Sequence, residues 1–212
     1  MSRLAAPLLR WSIAVGAGLC AAGAQAAAET WRFDPVHSQV VFSVDHQKFS
    51  SAFGRLHVKD GWFRFDADDW SQAQVDVRID LATVDLGDAQ WNAAARSGAL
   101  LDTQRWPTAR YTSRSVERID TSHGVIHGDL AFRGQTRPLD VAFTLNRIAT
   151  DPYLFKRKAG FSATATLARQ DFAMTRYADV IGANISLHIE IEGIRDGDAA
   201  NAGKDGNHDH EK

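Results

Sequence analysis

Histidine, arginine and cysteine are the residue types from which a reactive or metal-binding centre would be assembled in this chain, and their spacing limits what they can do. There are 8 histidines and one cysteine among 212 residues. Cys20 has no internal partner for a disulfide and cannot belong to a multi-thiolate metal site. His37 and His46 have opposite parity, so on one regular strand they face opposite sides and cannot share an ion unless a bulge intervenes. His123 and His127 would share a helix face, but on a hairpin a turn separates them and leaves a solvated edge. His208-Asp209-His210 stands in a polar terminal segment, where nothing orients metal ligands. Arg169 and Asp171 share parity and are placed to form an ion pair at a strand end. Gly16-x-Gly18-x-x-Ala21 has dinucleotide spacing but no strand before it. The chain has no HExxH, GxSxG or P-loop motif, and no nucleophile beside a base. No catalytic residue and no metal ligand is therefore expected.

Composition narrows the remaining classes. With 24 basic and 26 acidic side chains, a net charge of −2 and 44% apolar residues, the chain suits one ordinary globular domain. It has no cationic surplus with which to neutralise phosphates, so nucleic acid is not an expected partner. Arg3 and Arg10, the short apolar run from Ser12 to Gly23 and Ala24-Gln25-Ala26 together read as a cleaved secretory signal over residues 1–26. The apolar run is shorter than the roughly 20 residues needed to span a bilayer. This predicts an exported mature protein, a cysteine-free domain over 27–194 that must be stabilised by its core. Residues 195–212 contain almost nothing to bury and are expected to be disordered.

The elements that must carry any site are strands. Val40, Phe42 and Val44 alternate with polar neighbours, as do Val75, Val77, Ile79 and Leu81. The pattern repeats at Ile126, Leu130 and Phe132; at Leu139, Val141, Phe143 and Leu145; at Phe161, Ala163, Ala165 and Leu167; and at Ile185, Leu187, Ile189 and Ile191. Each segment is a half-buried strand with one wet face. Adding Ser51 to Val58, Gly61 to Phe65 and Ala109 to Val116 gives eight or nine strands, the first beginning at Val36. Asp60-Gly61, Ser122-His123-Gly124 and Arg133-Gly134-Gln135-Thr136 are expected hairpin turns. Such strands build either a sandwich or a closed up-and-down barrel, and hairpin connections favour the barrel. Asp88 to Leu101 is alanine-rich, lacks β-branched residues and opens on an acidic cap, which predicts one short helix at a barrel end.

Five ordered motifs carry a family resemblance. They are His37-Ser38-x-x-x-Phe42-x-x-x-His46 with Phe53-Gly54 and Gly61; Arg96-Ser97 and Leu101-Asp102 leading to Trp106-Pro107-x-Ala109 and Tyr111-x-Ser113; Gly128-x-Leu130; Arg133-Gly134-x-Thr136-x-Pro138-Leu139; and Arg169-x-Asp171-Phe172-x-Met174 with Ile181-Gly182. Over about residues 30 to 193 the chain resembles the YceI family of periplasmic polyisoprenoid-binding, lipocalin-like proteins. Ala173 stands where that family usually has glycine. The resemblance implies an all-β fold, an antiparallel eight-stranded barrel with a helix at one side, enclosing an apolar tunnel for a prenyl chain. It implies no cofactor beyond a bound isoprenoid lipid or quinone-like amphiphile.

Physical chemistry permits that cargo. At about 0.8 kcal/mol per buried CH₂-sized group, each five-carbon unit contributes up to about 4 kcal/mol, so a few units offset an association cost of about 4–15 kcal/mol. Parity places Phe42, Phe65, Tyr111, Phe132, Phe143 and Phe161 on inward faces and His46 inward at the end of its strand. With Arg169 as a candidate for the head group, these form the expected ligand-binding set. The sequence is also compatible with two other readings: an accessory protein that docks on a membrane redox partner, and an enzyme acting on a lipid head group.

Overall fold

Period-two alternation becomes nine antiparallel strands in the computed structural model, which describes residues 28–201. The expected signal segment and His208-Asp209-His210 lie outside the described residues. The strands are β1 (Glu29–Phe33), β2 (Gln39–His46), β3 (Ser50–Phe65), β4 (Gln74–Asp85), β5 (Thr108–Arg118), β6 (His123–Phe132), β7 (Gln135–Thr150), β8 (Arg157–Ala168) and β9 (Ile181–Arg195). From β2 to β9 each strand pairs with the next, and β9 returns to β2, so the sheet closes. The short β1 pairs with residues 62–65 of β3 and 193–195 of β9, while β2 pairs with residues 50–57 and 181–190 of the same two strands. β1 and β2 are thus two halves of one interrupted stave, and the barrel has eight staves.

That interruption corrects the expected start of the first strand at Val36. Residues 34–38 form a turn instead, in which the Val36 amide donates to the Asp34 carboxylate at 3.1 Å and the Asp34 amide donates to the Glu192 carbonyl at 2.8 Å. Proline at position 35 cannot donate to a ladder, which favours a break there. A second correction concerns Asp60-Gly61, which does not make a hairpin: β3 runs through it without interruption. Gly61 has φ of +144°, and a Cβ on it would lie 2.4 Å from the Asp76 carbonyl oxygen. The register against β4 shifts just before the pair, between Val58 and Asp60, and Asp60 and Gly61 then pair in step with Arg78 and Val77. The tail boundary also moves. Arg195 is the last residue of β9, the Asp196 amide donates to the Thr30 carbonyl at 2.9 Å, and Ala199 is buried.

The helix α1 (Ala89–Arg96) lies between β4 and β5, and the Asp88 carboxylate caps it by accepting from the Gln90 and Trp91 amides. It ends five residues before Leu101, because the chain then turns to bring Leu101 to the barrel wall. The β6–β7 hairpin turns through Arg133 and Gly134 at φ of +49° and +72°, the two positive values a tight two-residue turn requires. Gly134 also admits the Trp106 ring, since a Cβ there would lie 2.6 Å from it.

Candidate functional site

The inward rows of all eight staves line one cavity of about 230 Å³. Every expected row contributes to it: Phe42 from β2, Leu81 from β4, Tyr111 from β5, Phe132 from β6, Phe143 from β7, Phe161 from β8 and Ile189 from β9 are examples. Among the wall residues only Tyr111 and Arg64 carry polar groups, and the Tyr111 hydroxyl is occupied by the Ile126 and Leu139 carbonyls at 3.1 and 3.0 Å. Burial pushes the Tyr111 phenol far above its ordinary range, so it stays neutral. Gly128 leaves room for this ring, and Gly54 leaves room for Phe42, because a Cβ at either position would meet the ring within 2.5 Å. The lumen offers dispersion and hydrophobic contact and almost no hydrogen bonding.

Aromatic rings cluster at the end opposite α1. Phe161 lies edge-on to Phe63 at 5.5 Å and to Phe65 at 5.2 Å, and its centroid is 6.0 Å from that of Phe143. Behind these rings Trp31 stacks on Phe63, and Trp70, from the short 3₁₀ turn after β3, contacts both Phe65 and Phe143. Trp31 and Trp70 are buried but do not reach the cavity. Sequence reading missed the contribution of β1, whose signal is the brief Trp31-x-Phe33 alternation before Asp34-Pro35.

At the α1 end, arginines organise the loops. Arg169 is 2% exposed, and its guanidinium donates to the carbonyls of Gly182, Met174, Arg176 and Ile181 at 2.5–3.2 Å. The expected ion pair with Asp171 is not made, and Arg169 does not line the cavity. Its donors are directed into the loop after β8, so its place in the structure is that of a loop clamp. Arg133 does similar work, donating to the Phe172, Ala173 and Gly98 carbonyls. His46 stays in register with β3 at the end of β2 but follows a register shift against β9, and its ring packs 5.3 Å from Trp91 of α1, outside the cavity wall.

His37, His123 and His127 belong to polar clusters on the outside. At the break in the first stave, His37 Nδ1 lies 2.8 Å from the Asp34 carboxylate, and Asp34, His37 and Glu192 are close enough to hold a cation. Lys158 already supplies one: its ammonium lies 2.9 Å from Glu192, 3.4 Å from Asp151 and 3.8 Å from Asp34. Burial pushes the Asp34 carboxyl up, but hydrogen bonds from His37 and the Val36 amide outweigh it, and the net shift is down. This cluster staples the break to β8 and β9, a role that Lys158 could not announce in sequence because its partners come from two turns and a strand that only the fold brings together. His123 and His127 are not separated by a turn, as expected, but lie on one strand, β6. His123 bonds to Asp120, whereas His127 lies between Asp140 at 2.8 Å and Glu117 at 3.4 Å, so the two do not converge.

The profile of the YceI-like domain matches residues 31–193, which is nearly the whole barrel. The chain belongs to the YceI family. This YceI-family chain is 31% identical over 159 residues to a UPF0312 protein of Shewanella sp. (strain ANA-3), covering 75% of this chain and 83% of that one. Its barrel is similar to that of BcnA from Burkholderia cenocepacia, with a TM-score of 0.66 at 17% identity over 76% of this chain and 98% of the other. It is also similar to a polyisoprenoid binding domain from Saccharophagus degradans implicated in plant cell wall breakdown, with a TM-score of 0.58, 14% identity and coverage of 80% and 99%. At such identities the likeness to both is one of YceI fold.

Proposed function

We propose that this protein holds one slim apolar chain, that of an isoprenoid lipid or an isoprenoid quinone, inside the barrel, and carries or sequesters it in the periplasm after export by residues 1–26. The observation that carries the reading is the lumen, walled along all eight staves by aliphatic and aromatic side chains apart from Arg64, with the one hydroxyl among them already bonded. A narrow eight-stranded barrel accommodates a thin molecule and excludes a bulky one. The similar fold of a polyisoprenoid binding domain supports the choice of cargo class. The floor of rings leaves the α1 end as the entrance, where cargo is exchanged in transient contact with a membrane or a membrane protein. Binding needs no catalytic group, and the protein is read as a carrier, not an enzyme.

The experiment is organic extraction and mass spectrometry of the protein purified after export from a bacterium. One isoprenoid lipid per chain is the expected yield. A fully folded protein that releases only straight-chain acyl lipids, or none, contradicts the reading.

A further inference from the structure

At the end away from α1 the cavity is lined by a layer of rings that pack on one another. Phe161 faces the lumen and meets Phe63, Phe65 and Phe143 in edge-on or tilted contacts. Glycines in the barrel wall make room for this layer. A Cβ on Gly193 would lie 2.3 Å from the Phe63 ring, and one on Gly124 would lie 2.6 Å from Trp70 and 2.8 Å from Phe143. Trp31 and Trp70 back the layer from beneath. Each ring therefore has neighbours on the side to which it would have to retreat, and close-packed interiors do not yield that space cheaply.

Above the layer the same row of β8 changes character. Phe161 is followed on the inward face by Ala163 and Ala165, and only then by Leu167. Ala163 lines the cavity opposite the wall residue Ile189. One stave thus carries a large stop at its floor and small residues immediately above it.

We infer that Phe161, braced by Phe63, Phe65 and Phe143, sets the length of apolar chain that the lumen accepts. The inference rests on the reading of the barrel as an isoprenoid carrier and adds a specificity to it. Two residues along a strand advance about 6.6 Å, or about 5 Å along the axis at a strand tilt of about 40°, comparable with the carbon backbone of one isoprene unit. Moving the stop by one inward position therefore changes the accepted chain by one unit.

The test measures affinities of the lipid-free protein for a series of prenyl alcohols from two to six isoprene units by competition in native mass spectrometry. In the wild type, affinity rises with each added unit up to a limiting length and then rises no further. Phe161→Ala shifts that limit up by one unit, with at least fivefold tighter binding of the first alcohol beyond the wild-type limit. Ala163→Leu shifts it down by one unit and needs no ring to be removed from the floor, so it decides the matter if Phe161→Ala does not fold. A common limit in the wild type and in the folded variants overturns the ruler while leaving the carrier reading intact. Failure of the folded wild type to bind any alcohol overturns both.

Discussion

Arg169 shows how a charged residue in a loop motif can serve the fold without meeting a ligand. Four carbonyls accept from its guanidinium, no carboxylate among the described residues pairs with it, and burial draws its pKa below the ordinary value. Replacing it with glutamine strands several buried carbonyls at about 1–3 kcal/mol each. Arg169→Gln is expected to lose about 3 kcal/mol or more in denaturant unfolding, and Arg169→Lys to recover little, since one ammonium cannot reproduce the planar fork. An unchanged midpoint in both would remove the clamp from the account. On the outer surface, the hydrogen bond to Asp140, seconded by Glu117, raises the His127 pKa. A raised folded-state pKa stabilises below the unfolded value of about 6.5, and this contribution disappears as pH rises through the folded value. The melting temperature of the wild type should therefore exceed that of His127→Gln most at pH 5.5–6 and converge with it towards pH 9. A gap that widens with pH would reverse the assignment.

At the scale of elements, local chemistry was legible where a strand is long and wet on one face. The rows at Val75–Leu81, Leu139–Leu145 and Ile185–Ile191 could be read because polar neighbours mark every second position. The five residues of β1 are too few to establish a period, and the Asp-Gly pair at 60–61 is chemically identical to a turn. Only the pairing with β4 and the Phe33 ring beside Gly61 keep it inside a continuous strand. The loop after β8 holds a further example. Ala173 occupies the left-handed region at φ of +56° and ψ of +25°, immediately after the 3₁₀ turn Arg169–Phe172. That conformation costs a non-glycine residue about 1–2 kcal/mol, partly offset by the greater chain entropy that glycine loses on folding, about 0.5–1 kcal/mol. Ala173→Gly should stabilise the protein by about 0.5 kcal/mol, seen as a higher denaturant midpoint at unchanged slope. A lower midpoint would mean that the methyl group makes contacts worth more than the backbone strain.

For the whole molecule, barrel closure was legible because successive hairpins with one apolar face each have few ways to bury it. The break that divides the first stave had Pro35 as its one local mark, and the ion pairs that hold it, from Lys158 to Asp34, Asp151 and Glu192, were not legible. Of the candidate ligand residues, the six aromatics line the lumen, while His46 and Arg169 organise the α1 end. Parity predicts which way a side chain points; it carries no information on whether a loop or a helix then covers it. A thin tunnel with a satisfied hydroxyl and a braced aromatic floor has the chemistry of a receptacle for one extended apolar chain.

That central claim is tested most directly by filling the lumen. Ala163→Trp and Leu187→Trp place new rings inside the barrel from adjacent strands, against cavity wall that is otherwise apolar. Native mass spectrometry of the exported wild type should show a lipid adduct of one molecule per chain. In the double variant, with its circular dichroism and melting cooperativity retained, the adduct should be absent. An adduct that persists undiminished in the filled and folded barrel would place the lipid on the surface and contradict the account.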